Sequence, residues 1–320
     1  MPPVSSDFWA LTTVFEPVPR TTTLGHLALS ARALRAQGVP LAIVELAFGD
    51  APFRVADEAA DLVVRRRSRT TLWHKERLLT LGVAALPEAC RAVAWIDADV
   101  IFEDAGWADA TRAQLKTVAV VQPFETACWL GPGETAAAAG APTLPGFAAT
   151  MARTADRRAA LTRFERHGHT GFAWAARRDF LTAHGLYDRA IVGGGDFIAA
   201  HAFAADHDYL RGRHLALRRS PPAERAAIAA WGTPVAEATG GRIGWVPGRV
   251  LHLHHGDWQS RGYDERQAIL HRAEFDPMAD LTLDEAGCWQ WASDKPALHA
   301  EVAAYFAARA AVDAPSGAIA

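Results

Sequence analysis

Apolar positions along the first 120 residues fall into two alternating kinds of run. Short stretches, β-branched or continuously apolar, occur at Phe8–Phe15 (FWALTTVF), Pro40–Phe48 (PLAIVELAF), Asp61–Arg67 (DLVVRRR) and in AVAWID from Ala92. Their length and composition predict strands, most of them buried. Between them lie longer segments with helical character. Thr23–Gly38 opens on a polar residue, is rich in helix formers and stops at a glycine. Thr71–Pro87 carries Leu72, Leu78, Leu79 and Leu81 and closes on a proline. A β-α-β-α-β series of this kind predicts a parallel sheet with helices on its faces. Ligands of such sheets sit at the carboxyl ends of the strands, where Glu45, Asp97 and Asp99 fall.

Further along, Trp107–Lys116 predicts a short helix and Thr117–Pro123 a strand. The pattern then lapses from Thr126 to Arg166, a segment containing GPGETAAAAGAPTLPG. A loop that long is either functional or a tolerated surface insertion. Regularity resumes over Thr170–Ala204, which predicts strand, helix, short link, triple-glycine turn and helix. Arg242–Asp257 gives two short strands around Pro247-Gly248. A helix near Asp264–Arg272, the aromatic stretch GCWQWASDKP and a helix from Pro296 to about Arg309 follow. The closing DAPSGAIA reads as a frayed tail, and no internal repeat is evident.

Composition narrows the function classes. The 320 residues are half hydrophobic, and the net charge is -3, which gives no electrostatic footprint for nucleic acid. The one dense basic run, Arg65–Arg69 (RRRSR), is either a solvated strand end or a phosphate-facing element. Three scattered cysteines, Cys90, Cys128 and Cys288, show neither metal-binding spacing nor a disulfide framework. The N-terminus lacks the basic and apolar parts of a signal peptide, and no stretch approaches the roughly 20 apolar residues of a membrane span. The expectation is a soluble, cytoplasmic protein.

Three constellations carry candidate chemistry. Asp97 and Asp99 at i and i+2 would share a strand face, about 7 Å apart. Such a pair repels unless a cation lies between, and Mn²⁺ or Mg²⁺ would accept carboxylate oxygens there; a strand ending in solvated acids is the alternative. HLHHGD (His252–Asp257) puts His252 and His254 on one strand face and His255 on the other. Imidazole beside carboxylate suits Mn²⁺ better than Mg²⁺, although a histidine cluster can also be a surface accident. GGGD (Gly193–Asp196) allows close backbone approach to a ligand, with Asp196 either facing that ligand or capping a helix.

Taken in order, these motifs resemble the GT-A nucleotide-sugar glycosyltransferases, particularly the branch with galactosyl- and N-acetylgalactosaminyltransferases and chondroitin-type polymerases. The resemblance is carried by LWHKERLLTLGVAALP with WIDADVIF, by TGFAWAARRDFLTAHGLYD with VGGGDF, and by VLHLHHGD, and spans roughly Phe8 to Arg272. It implies an α/β fold of GT-A type: a Rossmann-like, mostly parallel sheet with helices on both faces, plus a C-terminal helical extension. The implied organisation is a glycosyltransferase domain over 1–275 and an extension and tail over 276–320. Within the domain, 1–123 would bind the nucleotide sugar and 124–275 the acceptor and metal.

The resemblance further implies transfer of a hexose or N-acetylhexosamine from a UDP-sugar to an acceptor hydroxyl, with inversion. Asp97 and Asp99 become the DxD element holding Mn²⁺ (or Mg²⁺) against the donor diphosphate. His252 becomes the third protein ligand, with His255 second choice and His254 third. Asp196 takes the place of the acid that touches the acceptor hydroxyl. Glu45 matches an acid that reads the base or ribose, and Lys75 a residue near the donor. The family often has Asn where this chain has Thr80, so a donor contact is in question there. Acceptors from glycan to protein, small molecule or modified nucleic acid stay open. A metal-dependent nucleotidyltransferase or sugar-nucleotide hydrolase would share the acidic pair but need no acceptor groove. Trp129, Trp289 and Trp291 lean toward an acceptor, since flat rings stack on sugar faces.

Overall fold

A computed structural model describes residues 6–16, 21–163, 165–217, 220–255 and 263–312. The first half runs β1 (Phe8–Phe15), α1 (Thr21–Ala36), β2 (Leu41–Phe48), β3 (Leu62–Ser68), α2 (Lys75–Ala85), β4 (Ala92–Ile96), β5 (Val100–Phe102), α3 (Trp107–Leu115) and β6 (Val120–Gln122). The second runs β7 (Thr126–Trp129), β8 (Leu144–Pro145), α4 (Phe147–Arg153), α5 (Arg157–Leu161), β9 (Ala173–Arg177), α6 (Arg178–His184), α7 (Gly195–Phe203), α8 (His207–Leu210) and α9 (Pro222–Thr239). It closes with β10 (Ile243–Trp245), β11 (Arg249–His252), α10 (Tyr263–Arg272), the hairpin β12 (Leu281–Leu283) and β13 (Trp289–Trp291), and α11 (Pro296–Val312).

Seven strands form the main sheet in the order β10-β6-β9-β4-β1-β2-β3. All neighbours are parallel except β9, which is antiparallel to both β4 and β6. The side-chain period of two sorts β1 onto two cores: Trp9 and Leu11 face the helices α2, α6, α7 and α9, while Phe8, Ala10 and Val14 face α1 and α3. Both faces are thus covered, which is why β1 and β2 read as nearly unbroken apolar runs. The mixed α/β fold with a mostly parallel sheet is the one expected from the sequence.

A second sheet, ordered β5-β11-β7-β8, stands beyond the end of β4. Its strands have two to four residues, and two of them lie inside the segment expected to be irregular. The expected Thr126–Arg166 loop therefore contains β7, β8, α4 and α5. Similarly, the two short strands flanking Pro247-Gly248 do not pair as a hairpin. β10 extends the main sheet beside β6, and β11 enters the second sheet.

Two other differences bear on the site. Helix α2 starts at Lys75 rather than Thr71, with His74 as its N-cap, and ahead of it the Trp73 N–H donates to the Ile191 carbonyl at 2.8 Å. The C-terminal extension is a hairpin plus a helix. It packs Leu281, Trp289, Leu298, Val302 and Phe306 around Leu72, Ile191 and Val192, so it braces the segments leading into Lys75 and the glycine turn. No described helix is long and apolar enough to cross a membrane.

Candidate active site

Everything at the site hangs from the link between the two sheets. β4 ends at Ile96 and β5 begins at Val100, so Asp97-Ala98-Asp99 is a turn, with the Val100 N–H donating to the Asp97 carbonyl at 3.3 Å. The expected arrangement of both acids on one strand face is therefore not found. A strand alternates its side chains only while it stays a strand, and here the chain is changing sheets. The two carboxylates go to different partners.

Asp99 meets the histidines. β11 pairs antiparallel with β5, placing His252 opposite Val100, and the Leu253 N–H donates to the Asp99 carbonyl at 2.9 Å. Because β11 ends at His252, alternation lapses there too, and His255 folds back beside His252. Asp99 Oδ2 lies 2.8 Å from His255 Nε2 and 3.5 Å from His252 Nε2, and the two ring nitrogens are 3.1 Å apart. One ligand atom from each of Asp99, His252 and His255 falls within 4.8 Å of the others. His254 is not among the three, and Gly256 and Asp257 lie outside the described residues. Burial pushes the Asp99 carboxyl up, but the two imidazoles outweigh it and hold it well below the usual carboxylate range. His26 on α1 feels the same cluster. Burial lowers its pKa, with Asp99 opposing and the three histidines adding to the fall; nothing in the sequence singled it out.

Asp97 meets a lysine. Lys75 Nζ lies 2.6 Å from Asp97 Oδ1 and 2.9 Å from Asp196 Oδ2, so one ammonium joins the two carboxylates. Burial opposes the charge on Lys75, but Asp196, Asp97 and Glu76 together raise its pKa. Burial likewise raises Asp97, against the pull of Lys75. Asp97 belongs to this cluster and not to the histidine one.

Asp196 does not cap α7. Gly194, at φ 102°, is the N-cap, and Asp196 lies inside the first turn with its carboxylate on Lys75. Only glycine adopts that φ without strain. A Cβ on the next residue, Gly195, would collide with the Glu76 carboxylate. Glu76 is thus a buried member of the site that the sequence did not flag, since an acid in a helix's first turn is ordinary. It accepts a hydrogen bond from Trp73 Nε1 at 3.1 Å. Burial, then the Asp196 charge, pushes its carboxyl up to about 8.

An aromatic wall joins the two clusters. Trp129 ends β7 in register with His252 and is 45% exposed, unusual for so large a ring. It stands edge-to-face against His169 and Phe172, each 5.3 Å away between ring centroids, and His169 stacks on Phe172 at 3.9 Å. Phe172 has φ 76°, the sparsely populated left-handed region where strain collects at functional positions. Its carbonyl accepts the Asp97 N–H at 2.8 Å. The other tryptophans are elsewhere: Trp289 is buried under Arg189, and Trp291 stacks on His299.

Glu45 ends up buried, accepting the backbone N–H groups of Arg54 and Val55 and so shaping the loop between β2 and β3. The arginine run lies on edge strand β3 and ties that strand to the same loop. Arg65 pairs with Asp57 at 2.7 Å, and Arg67 donates to the Ala51 carbonyl at 2.8 Å. Thr80 donates to the Glu76 carbonyl at 3.0 Å within its own helix. Cys90, Cys128 and Cys288 are free thiols, all buried.

No protein-family profile matches the chain, and no curated protein matches it. Among solved structures it is similar to a mutant of Drosophila β-1,4-galactosyltransferase 7 crystallised with manganese, UDP-Gal and xylobiose, at 10% identity over 92% of this chain and 99% of that one, TM-score 0.44. It is also similar to Staphylococcus aureus TarS, at 10% identity over 95% of this chain and 71% of that one, TM-score 0.39. A third is 4-diphosphocytidyl-2C-methyl-D-erythritol synthase from Anaerococcus prevotii, at 11% identity over 77% of this chain and 90% of that one, TM-score 0.35.

Proposed function

We propose that the protein is a metal-dependent glycosyltransferase of GT-A type, moving a hexose or N-acetylhexosamine from a UDP-sugar to an acceptor hydroxyl with inversion. The observation that carries this is the convergence of Asp99, His252 and His255 within 4.8 Å, beside a separate acid, Asp196, at the carboxyl end of a parallel sheet. The donor set fits a divalent cation. One carboxylate and two imidazoles suit Mn²⁺ better than Mg²⁺, three protein ligands leave positions for diphosphate oxygens, and Asp99 Oδ1 is buried with no hydrogen-bond partner. When bound, such a cation supplies Lewis-acid neutralisation of the departing nucleoside diphosphate.

The chain's own residues divide the remaining work. Asp99, His252 and His255 hold the metal, and Asp97 fixes the Lys75 ammonium beside it. Lys75 orients Asp97 and Asp196 together. Asp196 takes the proton of the attacking hydroxyl. Trp129 offers its exposed ring to the acceptor, and Glu45 shapes the loop that meets the nucleoside. The donor half is then residues 1–123 and the acceptor and metal half 124–275, with 276–320 bracing both.

A screen of nucleotide sugars for slow hydrolysis tests the proposal without knowledge of the acceptor. One UDP-sugar should be consumed with Mn²⁺ and spared in EDTA. Consumption of a nucleoside triphosphate with a sugar phosphate, and of no UDP-sugar, would instead identify a nucleotidyltransferase.

A further inference from the structure

Ten arginines fall within two short stretches, 153–166 and 211–225, which together hold only three acids, Asp156, Glu165 and Glu224. For a chain of net charge -3, this is a marked asymmetry. The fold brings the stretches together. Arg157 and Arg158 on α5 and Arg211 and Arg213 behind α8 line one groove of about 510 Å³, together with Ala204 and Ala205.

The acids in the groove do not neutralise it. Asp206 is buried and occupied, taking His201 Nδ1 at 2.8 Å and capping α8. Asp208 pairs with Arg158 at 2.8 Å and more loosely with Arg213 at 3.8 Å. Arg157 donates to the Gly241 carbonyl at 3.0 Å and keeps other donors. Arg211 has no ion-pair partner among the described residues. Four guanidiniums therefore share one available carboxylate, and guanidinium forks match phosphate oxygens in pairs.

We propose that this groove binds a phosphate group, held by the guanidiniums of Arg157, Arg158, Arg211 and Arg213. The groove is distinct from the candidate active site. Ala204 follows the last turn of α7 while Asp196 lies in the first, about 12 Å apart at 1.5 Å per residue. The phosphate belongs either to a free small anion or to a phosphate-bearing chain, and the inference stands whether or not the protein transfers sugars.

Pyrophosphate titrated into the protein in EDTA at low salt, followed by calorimetry, is the test. Wild type and Asp99→Ala should bind alike, with affinity falling as salt is raised. A variant carrying Arg211→Gln and Arg213→Gln should bind about tenfold or more weakly, with an unchanged melting temperature because both side chains are exposed. Orthophosphate and a linear polyphosphate run alongside separate the sources: equal affinity identifies a single small anion, and much tighter polyphosphate binding a phosphate-bearing chain. Undiminished binding by the double variant, no binding by wild type, or loss of binding in Asp99→Ala would each overturn the proposal.

Discussion

Asp97 and Asp99 are separated only by Ala98 in the chain and have opposite surroundings. Asp97 already has a cation, the Lys75 ammonium at 2.6 Å, shared with Asp196. Asp99 faces two imidazoles, at 2.8 and 3.5 Å, and one of its oxygens has no hydrogen-bond partner. One acid is satisfied by the Lys75 ammonium; the other shares a single oxygen with two imidazoles. A turn between two sheets produces this division, sending one carboxylate to Lys75 at the start of α2 and the other to His252 and His255 at the end of β11. Under the proposed function, the Asp97-Ala98-Asp99 turn supplies two half-sites, one for placing charge and one for holding metal.

The comparison is broken most directly at Asp99. Asp99→Ala should abolish Mn²⁺-stimulated turnover of the donor, a loss of about 10³, since Lewis-acid stabilisation is worth several kcal/mol. The variant should keep its fold, because the residue lies in a turn outside the main core, although it loses the carboxylate's contacts with His252 and His255. Full activity in a chelator would show that the histidine half-site holds no catalytic metal. At the lysine half-site, Asp196→Asn should lower transfer by about 10² while leaving donor affinity unchanged. Asp196 is not a helix cap, so the amide removes no cap, but it does remove one of the two carboxylates on the buried Lys75, and stability should fall as well. Transfer by the variant at the wild-type rate, measured with saturating donor, would remove Asp196 from the mechanism.

The histidines sharpen the metal half. His252→Ala and His255→Ala should each weaken Mn²⁺-dependent UDP binding about tenfold or more, and His254→Ala should not. Calorimetric titration ranks the three, and equal affinities would make the cluster structural. This ordering could not have come from strand periodicity, which groups His252 with His254. It depends on β11 ending at His252, after which the chain turns His255 inward.

Legibility in the sequence tracked strand length and burial. β1, β2 and β4 could be read because both faces are buried and the runs stay apolar for five to eight residues. The second sheet was missed: β7 and β8 have four and two residues, too few to show a period, and stand in a Gly- and Pro-rich stretch. Helix α9 was also passed over, being mostly small residues with Pro234 inside it. At the site, acids and histidines announce themselves by type. Their partners do not. Lys75 could be named only through a resemblance, Glu76 looked like a routine first-turn acid, and the two arginine stretches that form the basic groove lie dozens of residues apart.

Glu76 offers the finest test of the lysine half. It is 5% exposed, accepts from Trp73 and presses on Gly195. Burial first, and Asp196 second, raise its pKa from 4.5 to about 8, with Lys75 opposing. Between these two values the folded chain holds a proton there that the unfolded chain has lost, so stability falls as pH rises through the window and levels off above it. The contribution cannot be steeper than about 1.4 kcal/mol per pH unit. Glutamine resembles the protonated acid in shape and keeps an acceptor for Trp73, but does not titrate. Glu76→Gln should therefore match wild type near pH 4.5, gain on it steadily toward pH 8, and hold a constant advantage beyond. Its effect on transfer at pH 7 should be the smallest of the set, since wild type is already neutral at that position. Urea midpoints for both proteins at pH 5, 7 and 9 measure the divergence. Parallel profiles would mean that Glu76 is ionised throughout, and that Lys75 balances three carboxylates rather than two.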